Sequence, residues 1–438
     1  MNYQMKYLPN WKKSQKPVFP WFTRTITTNS IYQPIDHFDD KNDKIFKQRF
    51  WNYSPFYKPN GPIFLYIGGE NDRGGVWSLR TDAFMVWAKE LGADVYYLEH
   101  RGYGCSLPGR DRQSLENLKY ISSQQALSDI ANFIKAINEY RPNSKWITFG
   151  CSYSGTLNAW FRQKYPEYTV GAVVSSAPML PKINFFEYIQ IIEKVFMEHS
   201  PKCVENIRQG MDEIHAKIYT IEGQQQLHQM FNIFSLEDNL EIKDLFYNLL
   251  TVIGGVIQQS QWMAKEICSI MMAERSPIEN LSFIYHRWAN KIQYLYANNQ
   301  AMNTWMWQTC TEFGWFQTTD IAKNIFGSVL PIHNYTDDCS KKFNISIAEI
   351  AESVEKTNKN YGGIENFNAT NIVFVYGTND PWIGIGLYVN NSLPNFITSI
   401  LIKGTTHCDD VHMPLWNDSP SLKDARRKIF ELIKQWLN

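Results

Sequence analysis

Residues 145–166 read KWITFGCSYSGTLNAWFRQKYP, and the middle of this stretch, GCSYSG (150–155), decides how the chain is read. KWITFG (145–150) has the texture of a short apolar strand, and SGTLNAWFRQKYP (154–166) that of a helix stopped by Pro166. Ser152 therefore stands in the turn between them. A Gly-x-Ser-x-Gly elbow has this context: a sharp turn lifts the serine hydroxyl above a sheet edge, and the close approach of strand and helix demands small neighbours. The match is one short, because Ser154 takes the place of the second glycine and Gly155 follows one position later. A helix N-terminus built of small polar residues would read the same way. The flanking elements and the partners of Ser152 must decide.

Outward from the elbow, strand and helix signals alternate. GPIFLYIGG (61–69) and ADVYYLEHRG (93–102) are apolar, β-branched or aromatic runs ending in glycine-containing turns, with the helical TDAFMVWAKELG (81–92) between them. ISSQQALSDIANFIKAINEY (121–140) carries Leu127, Ile130, Phe133, Ile134 and Ile137 on one face, and Ser122 with Gln125 can form a capping box. VGAVVSSAP (170–178) is a further buried strand. From about 181 the texture turns helical, as in NFFEYIQIIEKVFMEH and LEIKDLFYNLLTVIGGVIQQ. Strands return with NIVFVYGTND (371–380) and FITSILIKGTTH (396–407), and SLKDARRKIFELIKQWL closes the chain as an amphipathic helix. The pattern predicts an α/β core with a mostly parallel sheet, formed by residues 1–180 and 361–438 and interrupted by a mainly helical insertion at 181–360.

The chain has 438 residues, above the ~100–200 of a usual domain, as an interrupted core requires. Lys+Arg and Asp+Glu balance at 43 each, which gives no electrostatic reason to expect nucleic acid or an anionic membrane as partner. No stretch approaches the ~18 apolar residues of a membrane span. MNYQMKYLPNWKKSQKP (1–17) lacks the apolar run of a signal peptide, although sequons at Asn52, Asn280, Asn334, Asn344, Asn368 and Asn390 hint at secretion. The seven cysteines are scattered, with no CxxC pair and no Cys/His cluster of zinc-ligand spacing, so neither metal nor cofactor is expected.

A serine needs a base to take its proton and an acid to orient that base. In an α/β-hydrolase these follow in the order Ser, Asp/Glu, His, at the C-terminal ends of strands. Asp380 follows NIVFVYG and His407 follows ITSILIKG, so order and position both fit. His100 precedes the serine and reads as a buried structural histidine. His412 is the nearest rival base, and Asp409 and Asp410 are rival acids awkwardly close to His407 in sequence. An oxyanion hole would use the backbone N–H of Tyr153 and one from the loop IGGEN (67–71), among those of Gly69, Glu70 and Asn71.

IFLYIGGEN, YYLEHRGYG, YISSQQALSDI, FGCSYSGTLNAWFRQKYP, SSAP, WQTCTEFGWFQT (307–318), YGTNDPW and GTTHCDD, in this order, make the chain resemble the prolyl carboxypeptidase family of serine peptidases from QPIDHF (33–38) nearly to its end. WQTCTEFGWFQT is most similar to the thymus-specific branch. The resemblance implies an α/β-hydrolase core with a helical cap, and hydrolysis of short peptides, often after proline. By motif it implies Ser152 as nucleophile, Asp380 as orienting acid and His407 as base. It implies a secreted or lysosomal/vacuolar location, and leaves open the terminus that is trimmed and the oligomeric state, a homodimer included. Cys151 departs from the pattern, standing where many members have glycine.

Trp382, beside the acid, and Trp315 with Phe316 in the insertion are candidate walls for a proline ring, and each fits ordinary core packing as well. Glu312 is a candidate anchor for a substrate amine, with a structural carboxylate as the alternative. An esterase or lipase on the same core, or a non-catalytic binding protein on a hydrolase scaffold, are the competing functions. In an oxidising compartment Cys203–Cys268 and Cys310–Cys339 are expected as staples of the insertion, leaving Cys105, Cys151 and Cys408 as thiols.

Overall fold

The computed structural model describes residues 26–70, 75–109, 114–232, 239–296, 299–388 and 397–438. Ten strands form in them: β1 (Thr27–Pro34), β2 (Ile45–Tyr53), β3 (Ile63–Ile67), β4 (Asp94–Leu98), β5 (Trp146–Cys151), β6 (Gly171–Ser175), β7 (Lys182–Asn184), β8 (Gly314–Phe316), β9 (Ile372–Gly377) and β10 (Ile397–Ile402). Eight join one sheet in the order β1-β2-β4-β3-β5-β6-β9-β10. Every pairing from β4 to β10 is parallel, while β1 with β2 and β2 with β4 are antiparallel. This is the expected mostly parallel α/β-hydrolase sheet. The β1–β2 ribbon at its edge is an addition: the outer strand, TTNSIYQP, is exposed along most of its length and so carries no apolar alternation, while IFKQRFWNY beside it alternates between exposed and buried positions.

Strand side chains alternate between two interiors. Phe64 and Tyr66 of β3, with Val373 and Val375 of β9, pack against the helices Phe84–Leu91 and Pro420–Leu437. Ile63, Leu65 and Ile67, with Ile372, Phe374 and Tyr376, face the helices Ser123–Asn138 and Tyr153–Lys164. Both faces are covered, as a parallel sheet requires. Ser122 caps the helix Ser123–Asn138 by accepting from the Gln125 N–H at 3.3 Å. The reciprocal half of that box is absent, because the Gln125 side chain turns to Asp36, the His37 N–H and Arg101.

Between β6 and β9 the described elements are nine α-helices, a π-turn at Thr309–Phe313 and the parallel pair β7–β8, three residues in each strand. The hydrophobic interior passes without a break from Leu65 and Leu157 under the sheet to Ile192, Ile253 and Trp315 in these helices. Disulfides Cys203–Cys268 and Cys310–Cys339 form within this region, with Cα separations of 5.2 and 5.8 Å. No helix among the described residues is long and apolar enough to cross a membrane.

The sequons divide by environment. Asn52 is half-buried with its amide bonded to the Asp94 side chain and the Val95 carbonyl, and Asn280, 1% exposed, has no room for a glycan. Asn344 and Asn368 are exposed, and Asn390 lies outside the described residues.

Candidate active site

Four loops leave the carboxyl ends of β3, β5, β9 and β10, the edge at which open α/β sheets bind ligands. β5 ends in the elbow. Ser152 has φ 62° and ψ −136°, a left-handed φ that a non-glycine residue adopts only when its surroundings enforce it. They do: the Ser152 N–H donates to the Ser175 carbonyl at 2.9 Å, and the Ser154 hydroxyl bonds both the N–H and the carbonyl of Cys151 at 2.9 Å. A Cβ on Gly150 would lie 2.3 Å from the Ser154 carbonyl oxygen, so glycine is obligatory there. Serine is tolerated at 154 because its hydroxyl closes the turn, and because the opposing loop yields: a Cβ on Gly69 would meet the Ser154 Cβ at 3.2 Å.

That contact sets the IGGEN loop against the first turn of the helix Tyr153–Lys164. Tyr153 opens the helix, so its N–H has no intrahelical acceptor and lies at the positive end of the helix dipole. Gly69 packs on the next residue, Ser154, with Glu70 following it in the loop, whereas Asn71 lies outside the described residues. Burial raises the Glu70 carboxyl above its ordinary pKa, against the pull of its own backbone N–H and of nearby His407. The Tyr153 phenol points away from the turn, accepting from Gln308 Nε2 at 2.7 Å and meeting His100 Nε2 at 3.0 Å. His100 is buried and its pKa falls to about 4 by desolvation, which keeps it neutral and structural.

Asp380 and His407 meet. His407 Nδ1 lies 2.9 and 3.0 Å from the two Asp380 oxygens, and Asp380 is fully buried. Burial alone would lower the His407 pKa, but the Asp380 charge and hydrogen bond, with Glu70 and Asp410 behind them, raise it above the usual value. The rival acids have other work. Asp409 accepts from the Thr406 N–H at 2.7 Å, and Asp410 accepts from the Ser175 hydroxyl at 2.5 Å, its own pKa raised to about 6 chiefly by burial. His412 gives its carbonyl to Arg426. No hydrogen bond joins the Ser152 hydroxyl to His407 in this structure. Such bonds are often long before a substrate tightens them.

The neighbours of Ser152 and His407 are joined covalently, and this corrects an expectation. Cys151 and Cys408 are not thiols but a disulfide, with Cα atoms 6.1 Å apart; Cys105 alone is free. The reason is geometric. The ends of β5 and β10 open on the same edge of the sheet, so the loops that carry Cys151 and Cys408 converge there and the two cysteines pair. The Cys408 N–H also donates to the Ser176 hydroxyl at 2.9 Å, fixing the histidine loop to the end of β6.

A ring of aromatics adjoins His407. The Trp382 ring is 6.3 Å from the imidazole and edge-on to Trp315 at 6.1 Å, and its backbone N–H donates to Asp380 at 3.0 Å. Gln258, which nothing in the sequence singled out, reaches this loop from the helix Asn239–Gln259. Its side-chain oxygen accepts from the Trp382 indole and the Tyr188 hydroxyl, and its carbonyl accepts from the His407 N–H at 3.2 Å. Phe316 stacks on Tyr335 at 5.3 Å, in a separate cluster.

Glu312 has a structural task. Both its oxygens accept from the Ser123 N–H, at 2.9 and 3.0 Å, and one also accepts from the Ser123 hydroxyl, at the start of the helix Ser123–Asn138. Burial raises its pKa to about 7, although the Ser123 bonds and Lys356 work against it. With the folded value above the unfolded one, the fold holds the proton more tightly, so stability is fully present below about pH 4.5 and declines as pH rises through 7. Glu312→Gln is therefore expected to leave stability unchanged near pH 4.5 and to raise it at pH 8 by on the order of 1–2 kcal/mol, after discounting for residual solvent contact. Thermal melts at both pH values check this; equal shifts at the two would refute it.

The chain matches the family described as serine carboxypeptidase S28 over residues 33–429. A Caenorhabditis elegans protein named as a serine protease is 32% identical across 94% of this chain and 84% of its own length. The human thymus-specific serine protease is 28% identical across 93% of this chain and 86% of its own. The lysosomal Pro-X carboxypeptidase of Bos taurus is 28% identical across 96% and 89%. With a family match over most of its length and an elbow, a buried Asp–His pair and a parallel sheet in register with it, this chain belongs to the S28 family of serine peptidases.

Proposed function

We propose that this enzyme trims short peptides at one end, cutting at or beside proline, with Ser152 as nucleophile, His407 as general base and Asp380 as the acid that orients it. The observation that carries the reading is the Asp380–His407 pair at 2.9 Å, tied through Cys408–Cys151 to the elbow serine. Ser152 attacks the scissile carbonyl as His407 takes its proton. The oxyanion is held by the Tyr153 N–H and one from Gly69 or Glu70, and water then resolves the acyl-enzyme. Asp380 accepts from Nδ1–H, which leaves Nε2 as the nitrogen that takes the serine proton.

The helical region 181–360 acts as a cap, which supports a preference for narrow, flexible chains over folded proteins. Gln258 is its contact with the His407 loop. Trp382 and Trp315 supply flat walls that suit a proline ring, a residue that loses little entropy on binding. A lysosomal or secreted location is supported by the relatives named lysosomal Pro-X carboxypeptidase. The test is a peptide series of increasing length with one internal proline, with products identified by mass. Short terminal fragments, released less efficiently as length grows, are expected. Indifference to replacing proline by alanine would remove the proline preference, and efficient cleavage within folded proteins would remove the cap.

A further inference from the structure

We infer that the reduced form of this protein carries a zinc site at Cys151, Cys408 and His407, whose occupation takes the base away from Ser152. The ligand-capable atoms of these three residues lie within 4.8 Å of one another. Two thiolates and an imidazole, with a water in the fourth position, make a tetrahedral set that soft divalent metals favour. Zn–S bonds of about 2.3 Å put two tetrahedral thiolates roughly 3.8 Å apart, a modest opening from a disulfide.

The surroundings are already those of a metal centre. His407 Nδ1 is held by both Asp380 oxygens, which leaves Nε2 as the ligating nitrogen and reproduces the carboxylate–histidine arrangement that orients ligands around zinc. The backbone on each side is pinned independently of the bridge, by Ser152 N–H to Ser175 and by Cys408 N–H to Ser176, so the scaffold does not depend on the S–S bond alone. The carboxyl groups of Asp380, Glu70 and Asp410 act electrostatically on the imidazole, and carboxylates there favour a bound cation.

Access orders the disulfides. Cys151 is half-buried at the elbow and its partner Cys408 is 5% exposed, so access is through Cys151, whereas both sulfurs of the other two bridges, Cys203, Cys268, Cys310 and Cys339, are between 0% and 3% exposed. A small dithiol reaches the elbow bridge first. Its thiolate attacks one sulfur to give a mixed disulfide. Its second thiol then closes the reductant into its own disulfide, releasing Cys151 and Cys408 as two thiols. Binding zinc releases the protons of those thiols to solvent. The consequence for activity rests on His407 being the base, as proposed above; the binding itself does not.

The experiment uses the full chain carrying Cys105→Ser, which removes the exposed thiol. After dithiol treatment to two new thiols per chain and anaerobic desalting, the protein is titrated with Co²⁺ as the probe and then with Zn²⁺. One Co²⁺ per chain is expected, with thiolate charge-transfer and tetrahedral ligand-field bands, displaced by Zn²⁺ and absent from the oxidised protein. Cys151→Ser or Cys408→Ser should abolish these thiolate bands, His407→Ala should weaken affinity about tenfold or more, and Ser152→Ala should retain binding. In the reduced protein Zn²⁺ should lower peptidase activity at least about 100-fold, reversibly with chelator, with no such effect on the oxidised form. No Co²⁺ binding after two thiols are counted, or affinity unchanged in His407→Ala, would overturn the site. So would loss of the circular-dichroism signal on reduction, since the site must outlast its disulfide. Metal binding without loss of activity would uphold the site and instead sink His407 as the base.

Discussion

Replacing Ser152 by alanine is expected to lower turnover by about 10⁴-fold or more while leaving the fold intact. The size follows from what is removed. Without its hydroxyl the site retains the oxyanion donors and the substrate contacts but cannot form an acyl-enzyme, and what remains is the weaker assistance those donors give to direct attack by water. The fold should tolerate the change because Ser152 contributes its backbone, not its side chain, to the packing of the elbow. Its N–H holds the Ser175 carbonyl and its carbonyl receives the Thr156 N–H at 3.0 Å. Alanine preserves both bonds and the same φ of 62°, at a similar steric cost. Single-turnover assays on a short proline-containing peptide, with melting temperature as control, measure the two parts. A loss below about tenfold with an unchanged melt would mean that some other residue attacks the carbonyl.

How far the sequence reveals this site depends on whether each interaction is local. The elbow was legible because its requirements are: an apolar strand, small residues in the turn and a helix stopped by proline leave a serine exposed wherever they occur. Asp380 and His407 were legible because strand ends in a parallel sheet converge on one edge, so chain order stands in for space. The same logic, carried one residue further, would have paired Cys151 with Cys408. Neither cysteine carries that sign in its own local sequence; the partner follows only from its place beside a residue at a converging strand end. The edge ribbon β1–β2 leaves a weak trace in the sequence, since an outer strand exposed along most of its length loses its apolar alternation. Gln258 left no local trace at all. Its place beside His407 depends on how a helix more than 100 residues before Asp380 packs on that loop, and an amide in an amphipathic helix looks like any other polar face. Glu312 could be read either way from sequence, and its ties to Ser123, a partner 189 positions away, appear only in the folded chain.

Asp380→Asn is the second large effect, expected to lower kcat/KM near neutral pH by about 10⁴-fold, and it tests a different link from the serine. Asparagine fits the buried space and can still accept the Trp382 N–H, but its amide can also donate to His407 Nδ1, which then holds the imidazole in the tautomer with Nε2 protonated and unable to act as base. The charge matters as well as the tautomer. His407 must be neutral to accept the serine proton, and Asp380 is what offsets burial and lifts its pKa above the ordinary value. In the parent enzyme activity should therefore fall, as pH is lowered, through a pKa above about 6.5. Without Asp380 the burial effect gains weight, and the acid limb of the small residual activity should move to lower pH. Stability should follow the same sign. The contact between Asp380 and protonated His407 stabilises the fold fully below the unfolded histidine pKa, and this is lost as pH rises through the folded one, so the variant should be weakened more at pH 5 than at pH 8. A pH–rate profile and melts at those two values separate the outcomes. A fall in rate with an unmoved acid limb would keep Asp380 as a tautomer anchor but remove it as the source of the raised pKa. An unchanged rate would dissolve the triad, and Asp409 or Asp410 would have to be released from Thr406 or Ser175 to replace it.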